Sequence, residues 1–208
     1  MIFRISIILL MSLTLLQPLP AVQPEDIIYM TEDYPPENYL ENGRLKGYAV
    51  EILKAMWKKM GVPEQEIKVL PWARGYDMAL KQPNHMLFSM ARNSERENLF
   101  KWVGPIYHAD AELFSLTDKS IKINNINDAK KFRIGVIRND IGETLLKEAG
   151  FPDSSFSKVK SLKQLIMMLK TGRIDMISTN EASLKNEIKR DKSLSIRYKS
   201  VWFVGKIS

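Results

Sequence analysis

Cysteine does not occur among the 208 residues, and histidine occurs only at His85 and His108. Without thiols there is no disulfide, no cysteine nucleophile, no thiolate metal site and no cysteine to carry a lipid. Two histidines so far apart in sequence give no zinc-ligand spacing. Cofactor and catalytic loops are missing as well: the chain has no G-x-G-x-x-G opening a helix, no Walker loop and no G-x-S-x-G elbow. No metal or cofactor is therefore expected. Nor is there a block of one charge. Lys and Arg number 31 against 24 Asp and Glu, a formal net +7. The basic residues alternate with apolar or acidic ones in "KAMWKKM" and "SLKNEIKRDK", as on solvated helix faces, so nucleic acid is not an expected partner.

Long apolar runs are confined to the start, "MIFRISIILLMSLTLLQPLPAVQPED". Arg4 precedes an apolar stretch over residues 5–16, and Pro18, Pro20 and Ala21 close it. That stretch is too short to span a bilayer comfortably and resembles a secretory signal over residues 1–23. A periplasmic location follows from that reading; an uncleaved anchor is the alternative.

Beyond the leader, short apolar runs alternate with helical patterns. "DIIYM" (26–30), "IKVL" (67–70) and "HMLFSM" (85–90) read as strands. Between the first two come a loop with Tyr34, Pro35, Pro36, Asn42 and Gly43, and then a helix near 48–60. In that helix Ile52, Leu53, Met56, Trp57 and Met60 form one stripe and Gly61 is the stop. "ARGYDMAL" (73–80) is a second helix. "AELFSL" (111–116) is a strand with nothing helical before it, which suggests a crossover. The pattern then restarts: "RIGVI" (133–137), "FSKV", "DMIST" (175–179) and "IRYKSVWFV" (196–204) are strands, with helices over "GETLLKEAG", "SLKQLIMMLKTG" and "EASLKNEIKRDK". Alternation of this kind predicts an α/β fold with mostly parallel sheets.

One internal echo points to two related halves. "ALKQPNHMLFS" (79–89) and "MLKTGRIDMIS" (168–178) align without a gap, each a helix end, a Pro- or Gly-containing turn, an apolar strand and a serine. Convergence of short α/β units on one pattern is the competing explanation. If the halves are related, Ser89 and Ser178 stand at equivalent strand ends, where open α/β sheets hold ligands. Two facing halves also make an inter-lobe cleft the expected small-molecule site.

In "SMARNSERENLFKWVGPIY" (89–107), Ser94 and Glu97 have the spacing of a capping box. Arg96 then falls in the first turn of a helix, where the macrodipole disfavours a cation. An anionic ligand using both the guanidinium and the free N–H groups would explain it; so would screening by Glu95 and Glu97. The carboxylate pairs Glu32/Asp33 and Glu95/Glu97 carry no sequence sign of a raised pKa or a facing partner. Trp72 and Tyr34 each follow a predicted strand, beside Pro71 and Pro35, where an aromatic lines a pocket or simply packs.

These stretches resemble, in order, the bacterial extracellular solute-binding proteins of family 3, the periplasmic amino-acid-binding type. "EDYPPENYLENGRLKGYAVEILKAMWKKMG" resembles the family's tyrosine-proline loop and first helix. "LPWARGYDMAL" resembles its pocket loop, and "SMARNSERENLFKWVGPIY" its Thr-x-x-Arg helix start. "FRIGVIRND" and "MLKTGRIDMIST" resemble its second lobe. The resemblance implies a two-lobed periplasmic-binding-protein type II fold, with lobe one over 24–108 and lobe two over 109–208. It implies a non-catalytic monomer that closes on a small carboxylate or zwitterion and presents it to an inner-membrane permease or a sensor.

Matched residue by residue, Arg96 corresponds to the clamp on the ligand carboxylate, Ser89 to a polar contact, Tyr34 to an aromatic over the ligand and Trp72 to the pocket floor. Asn180, with Glu181 beside it, stands where the family has the acid that takes the ligand's amino group. Arg92 would widen the positive rim. Where the family has a Gly-Thr-Thr-like anion contact, this chain has "RNDIGE", with Asp140 and Ile141. The chain stops at Ser208, where family members cross back, so lobe one is expected to be incomplete at its C-terminal side. Two rivals remain on the same fold: a dehydratase-like enzyme with Glu181 as acid–base group, and a sensory or partner-docking module without a ligand.

Overall fold

The computed structural model describes residues 22–207, so the leader expected over 1–23 lies almost wholly outside the described residues. Two β-sheets, one parallel and one mixed, carry the architecture. The first has the order β4-β1-β5, from β1 (Ile28–Thr31), β4 (Ile67–Val69) and β5 (His85–Leu87), all parallel. The second has the order β10-β6-β9-β7-β8. In it β7 (Ile134–Ile137), β8 (Phe156–Val159) and β9 (Met176–Thr179) are parallel, while β6 (Ala109–Leu116) runs antiparallel to both β9 and β10 (Tyr198–Ile207).

The helices follow the apolar stripes. α1 (Tyr48–Met60) and α2 (Trp72–Lys81) connect β1 to β4 and β4 to β5. α3 (Ile141–Glu148) and α4 (Leu162–Lys170) connect β7 to β8 and β8 to β9 in the same way, and α5 (Glu181–Arg190) follows β9. The order β4-β1-β5 thus recurs as β8-β7-β9, and the two eleven-residue stretches of the internal echo fall on equivalent helix ends and strands.

Side chains alternate across a strand, and β1 shows the consequence. Tyr29 packs with Val50, Leu53 and Trp57 of α1, its ring edge-on to Trp57 at 4.8 Å, whereas Met30 joins Trp72 and Leu87 in another cluster. That second cluster continues into Phe114, Ile137, Leu165, Ile166 and Ile177 of the second sheet and its helices, so one apolar core spans both sheets.

Two loops differ from the sequence reading. The stretch read as a plain loop holds a hairpin, β2 (Tyr39–Glu41) with β3 (Arg44–Lys46), turned by Asn42 and Gly43 at φ 51° and 76°. An Asn-Gly pair adopts such a left-handed turn at little cost. Gly47 then enters α1 at φ 121°, and a Cβ there would stand 2.1 Å from the Glu37 carbonyl oxygen. No other residue fits, so this glycine lets the 32–38 loop lie directly against the helix start.

The helix expected from Ser94 does not form; residues 94–99 are successive turns. Asn93, not Ser94, acts as the cap, its Oδ1 accepting from the Arg96 N–H at 3.0 Å. Glu97 is drawn to Arg92 instead of reaching back to Ser94. Strand β5 also ends earlier than expected, at Leu87, because Ser89 takes φ 61° and turns the backbone out of the ladder.

Candidate functional site

The parallel strands end on a common cleft. After β1 come Glu32 and the 34–38 loop, after β4 Trp72, after β5 Ser89, after β7 Asp140 and Ile141, and after β9 Asn180. All of these line one cavity of about 980 Å³, and Glu37, Asn38, Met90 and Tyr107 line it too. The loop after β1 is held in shape by paired backbone bonds, Tyr34 N to Asn38 O at 2.6 Å and Asn38 N to Tyr34 O at 3.1 Å. Asn38 Nδ2 adds a bond of 2.7 Å to the Glu32 carbonyl. The cavity continues past β5 to an apolar stretch with Met86, Leu99, Val103 and Ile106.

Polar contacts cross the cleft. The Asn139 carbonyl accepts from Trp72 Nε1 at 2.7 Å and from an Arg96 terminal nitrogen at 2.9 Å. Tyr34 and Thr179 share a hydroxyl bond of 2.8 Å. Ser183, in the first turn of α5, donates to Glu37 at 3.3 Å. Arg190 closes a bidentate pair with Asp33, at 2.6 and 3.0 Å.

The residues expected to bind a ligand separate into those that line the cleft and those that do not. Tyr34, Trp72, Ser89 and Asn180 line it. Tyr34 and Trp72 also spend their polar atoms on the bonds across it. Asn180 caps α5, its Oδ1 accepting from Ser183 N at 2.8 Å, and its amide reaches Tyr34 Oη at 3.5 Å. Ser89 Oγ is buried without a hydrogen-bond partner.

Arg96, matched above to the clamp on a ligand carboxylate, has its donors committed within the protein. It is 3% exposed and absent from the cavity lining, and its guanidinium lies over the Trp72 and Tyr76 rings at 5.5 and 5.2 Å. Its donors go to the carbonyls of Ala91 and Asn139. The cation is satisfied by rings and backbone oxygens, a stable arrangement for a planar guanidinium. Arg92 borders the cavity but is engaged by Glu97, through bonds of 2.6 and 2.5 Å. Glu181 is exposed and outside the cavity lining, because the first turn of α5 points it away from the strand ends. That removes the acid–base group of the enzyme alternative.

The residues missed by sequence reasoning are acids. Glu32 lines the cavity, and among the described residues its carboxylate has no hydrogen bond or ion pair. Burial first, then the charge of Asp140, hold its carboxyl well above the usual carboxylate range. Burial also raises Asp140, although the Ile141 N–H at 2.6 Å and the charge of Arg96 work against the rise. Glu37 is likewise pushed up by burial, against hydrogen bonds from Tyr107, Ser183 and Tyr48. The carboxylate pair Glu32/Asp33 therefore divides: Asp33 pairs with Arg190, while Glu32 faces Asp140. The available signal was position, since Glu32 directly follows a strand that ends on the cleft. Among the described residues, no group of His, Asp and Glu has metal-binding geometry.

A model of the bacterial extracellular solute-binding proteins, family 3, matches residues 27–149, more than half of the chain. The arginine-binding extracellular protein ArtP of Bacillus subtilis is 28% identical over 157 residues, which cover 72% of this chain and 58% of that protein. Among solved structures, the arginine-, lysine-, histidine-binding protein ArtJ of Geobacillus stearothermophilus superposes with a TM-score of 0.71 at 19% identity, covering 87% of this chain and 81% of the other. A histidine kinase sensor domain with similarity to periplasmic binding proteins gives 0.75 at 18% identity, with the same coverages of 87% and 81%.

Proposed function

The chain belongs to the bacterial extracellular solute-binding proteins of family 3 and has the periplasmic-binding-protein type II fold, and from that premise we propose that it captures a small amino-acid-like solute between its two sheets. Its action on this reading is binding without catalysis, outside the cytoplasmic membrane, with the captured solute passed to a permease or read by a sensor. Residues 24–108 and 109–208 serve as the two lobes. Among the described residues no helix is long and apolar enough to cross a membrane.

The observation that carries the reading is the cleft itself. Five parallel strands from two sheets end on one cavity, and the bonds across it come from the ends of those strands, the loops after them and the α2 and α5 helices. Such bonds form only when the lobes meet, so solute capture and lobe closure share one equilibrium. Tyr34 and Trp72 supply aromatic walls, and Ser89 and Asn180 polar ones. Arg96 acts as a clasp, tying the 91–100 segment to the loop after β7.

A thermal-shift screen of the purified protein against amino acids, organic acids and polyamines tests this. A solute that binds only the folded, closed state raises the melting temperature as its concentration grows. A flat response across the whole panel contradicts the proposal.

A further inference from the structure

Although the chain carries a formal net +7, the ionisable side chains that follow β1 and β7 into the cleft are acids. Glu32 and Asp140 lie on opposite sides of the cleft, after β1 and β7, and each lines the cavity. Among the described residues neither carboxylate is hydrogen-bonded to a cation: Glu32 has no bond to its carboxylate, and Asp140 accepts only from the adjacent Ile141 N–H, with Arg96 acting on it through charge alone. Every other carboxylate on a loop facing the second sheet is spoken for. Asp33 is held by Arg190, and Glu37 by Ser183 and two tyrosines.

A second observation, independent of charge, also calls for a donor. Asn38 is fully buried and lines the same cavity, and while its amide is bonded to the Glu32 carbonyl, its Oδ1 has no partner. Ser89 Oγ, also on the lining, lacks one too. A buried acceptor left unpaired is costly, so an Oδ1 that shares a cavity with the Glu32 and Asp140 carboxyls suits an N–H-rich occupant.

The two arginines nearest the strand ends are already committed, and the other cation on the lining, Lys101, belongs to the 99–108 segment with Leu99, Val103 and Ile106. Arg96 is saturated by two carbonyls and two aromatic faces, and Arg92 is paired with Glu97. The N-terminus of α3, which could otherwise attract an anion, is capped by the Asp140 carboxylate itself. A carboxylate brought to this end of the cleft would meet like charge.

We infer that the cleft selects a small organic cation without a carboxylate, an amine or guanidine, held by Glu32 and Asp140 and hydrogen-bonded to Asn38. This rests on the solute-binding reading of the same cleft and narrows it. Two of the proteins named above, ArtP and ArtJ, are described by amino acids, which carry a carboxylate; in this chain Asp140 lines the cleft and the donors of Arg96 are spent on carbonyls.

The test compares matched pairs by calorimetry on the purified protein: agmatine against arginine, and cadaverine against lysine, which differ only in the carboxylate. Agmatine is expected to bind about tenfold more tightly than arginine or better, and cadaverine to outbind lysine, as for removal of one like-charge contact. In the Asp140→Asn protein, which has nearly the same shape, the preference for agmatine over arginine is expected to shrink by about fivefold or more. Arginine or lysine binding more tightly than its decarboxylated counterpart overturns the inference while leaving solute capture standing. An unchanged preference in Asp140→Asn overturns the role of that residue and with it the inference. If no compound of either kind binds, and the thermal-shift panel is flat as well, the solute-binding reading fails first.

Discussion

Glu32 and Arg96 show how far a residue's surroundings lie beyond its sequence. The arginine, matched to a ligand clamp, has its guanidinium on the Ala91 and Asn139 carbonyls; the glutamate, which carries no sequence sign of a raised pKa, is an unpaired carboxyl in the cleft whose pKa burial raises. The sign of the Glu32 shift makes a prediction. Its carboxyl holds its proton more tightly folded than unfolded, so its contribution to stability is fully present below the ordinary carboxylate pKa of 4.5. That contribution is lost as pH rises through the higher folded-state value. Glu32→Gln, which cannot ionise, is therefore expected to be more stable than the parent at pH 7 without added solute, and to lose that advantage near pH 4. Urea melts at the two pH values measure it, and a variant less stable than the parent at pH 7 would contradict the account. Asp33 and Glu32 are adjacent in sequence, so only the fold separates the one that meets Arg190 from the one that meets Asp140. Neither partner is local, which is why no sequence rule distinguishes them.

Elements were far more legible than sites, and for a physical reason. Hydrophobic periodicity is a local property, and it placed α1 at 48–60 and α4 within 161–172, where the structure has Tyr48–Met60 and Leu162–Lys170. The α1 stripe owes its strength to Leu53 and Trp57 against β1, while Ile52 and Met60 of the expected stripe remain exposed. Errors fell where a side chain competes for backbone groups. Asn93 took the capping role from Ser94, and the Arg92–Glu97 pair removed the acid a capping box needs, so the 94–99 stretch stayed as turns. The hairpin at 39–46 was signalled by Asn42-Gly43 and overlooked, because its strands are three residues each. Helix α4 packs its apolar face into the core beside the second sheet. Leu165 is fully buried in the cluster that spans both sheets, and Leu165→Ala is expected to cost about 2–5 kcal/mol. Denaturant unfolding would show this as a lower midpoint with little change in slope; a loss below about 1 kcal/mol would mean the site collapses freely or is not core.

At the scale of the whole molecule, two sheets that share a three-strand parallel order also share one apolar cluster and meet at their strand ends. The eleven-residue echo between 79–89 and 168–178 was the visible trace of that repeat, and it correctly pairs the α2–β5 and α4–β9 units. What it could not carry was the asymmetry. Ser89 lines the cavity, whereas its counterpart Ser178 is buried in β9, where a Cβ added at Gly142 would meet its Oγ at 2.6 Å. One half therefore brings the unpaired acid and the aromatic walls, and the other brings Asp140 and the capped α5. A basic chain with an acidic cleft would keep its charge selectivity local, because surface charges more than a Debye length away are largely screened in physiological salt. The central claim is that solute is held between the sheets at these strand ends. It is tested most directly by calorimetric titration of the strongest solute from the thermal-shift panel into the parent protein and into the double variant Glu32→Gln, Asp140→Asn. The account predicts one site per chain in the parent and an affinity lower by about a hundredfold in the double variant. Equal affinity in the two proteins would place the solute elsewhere and contradict it.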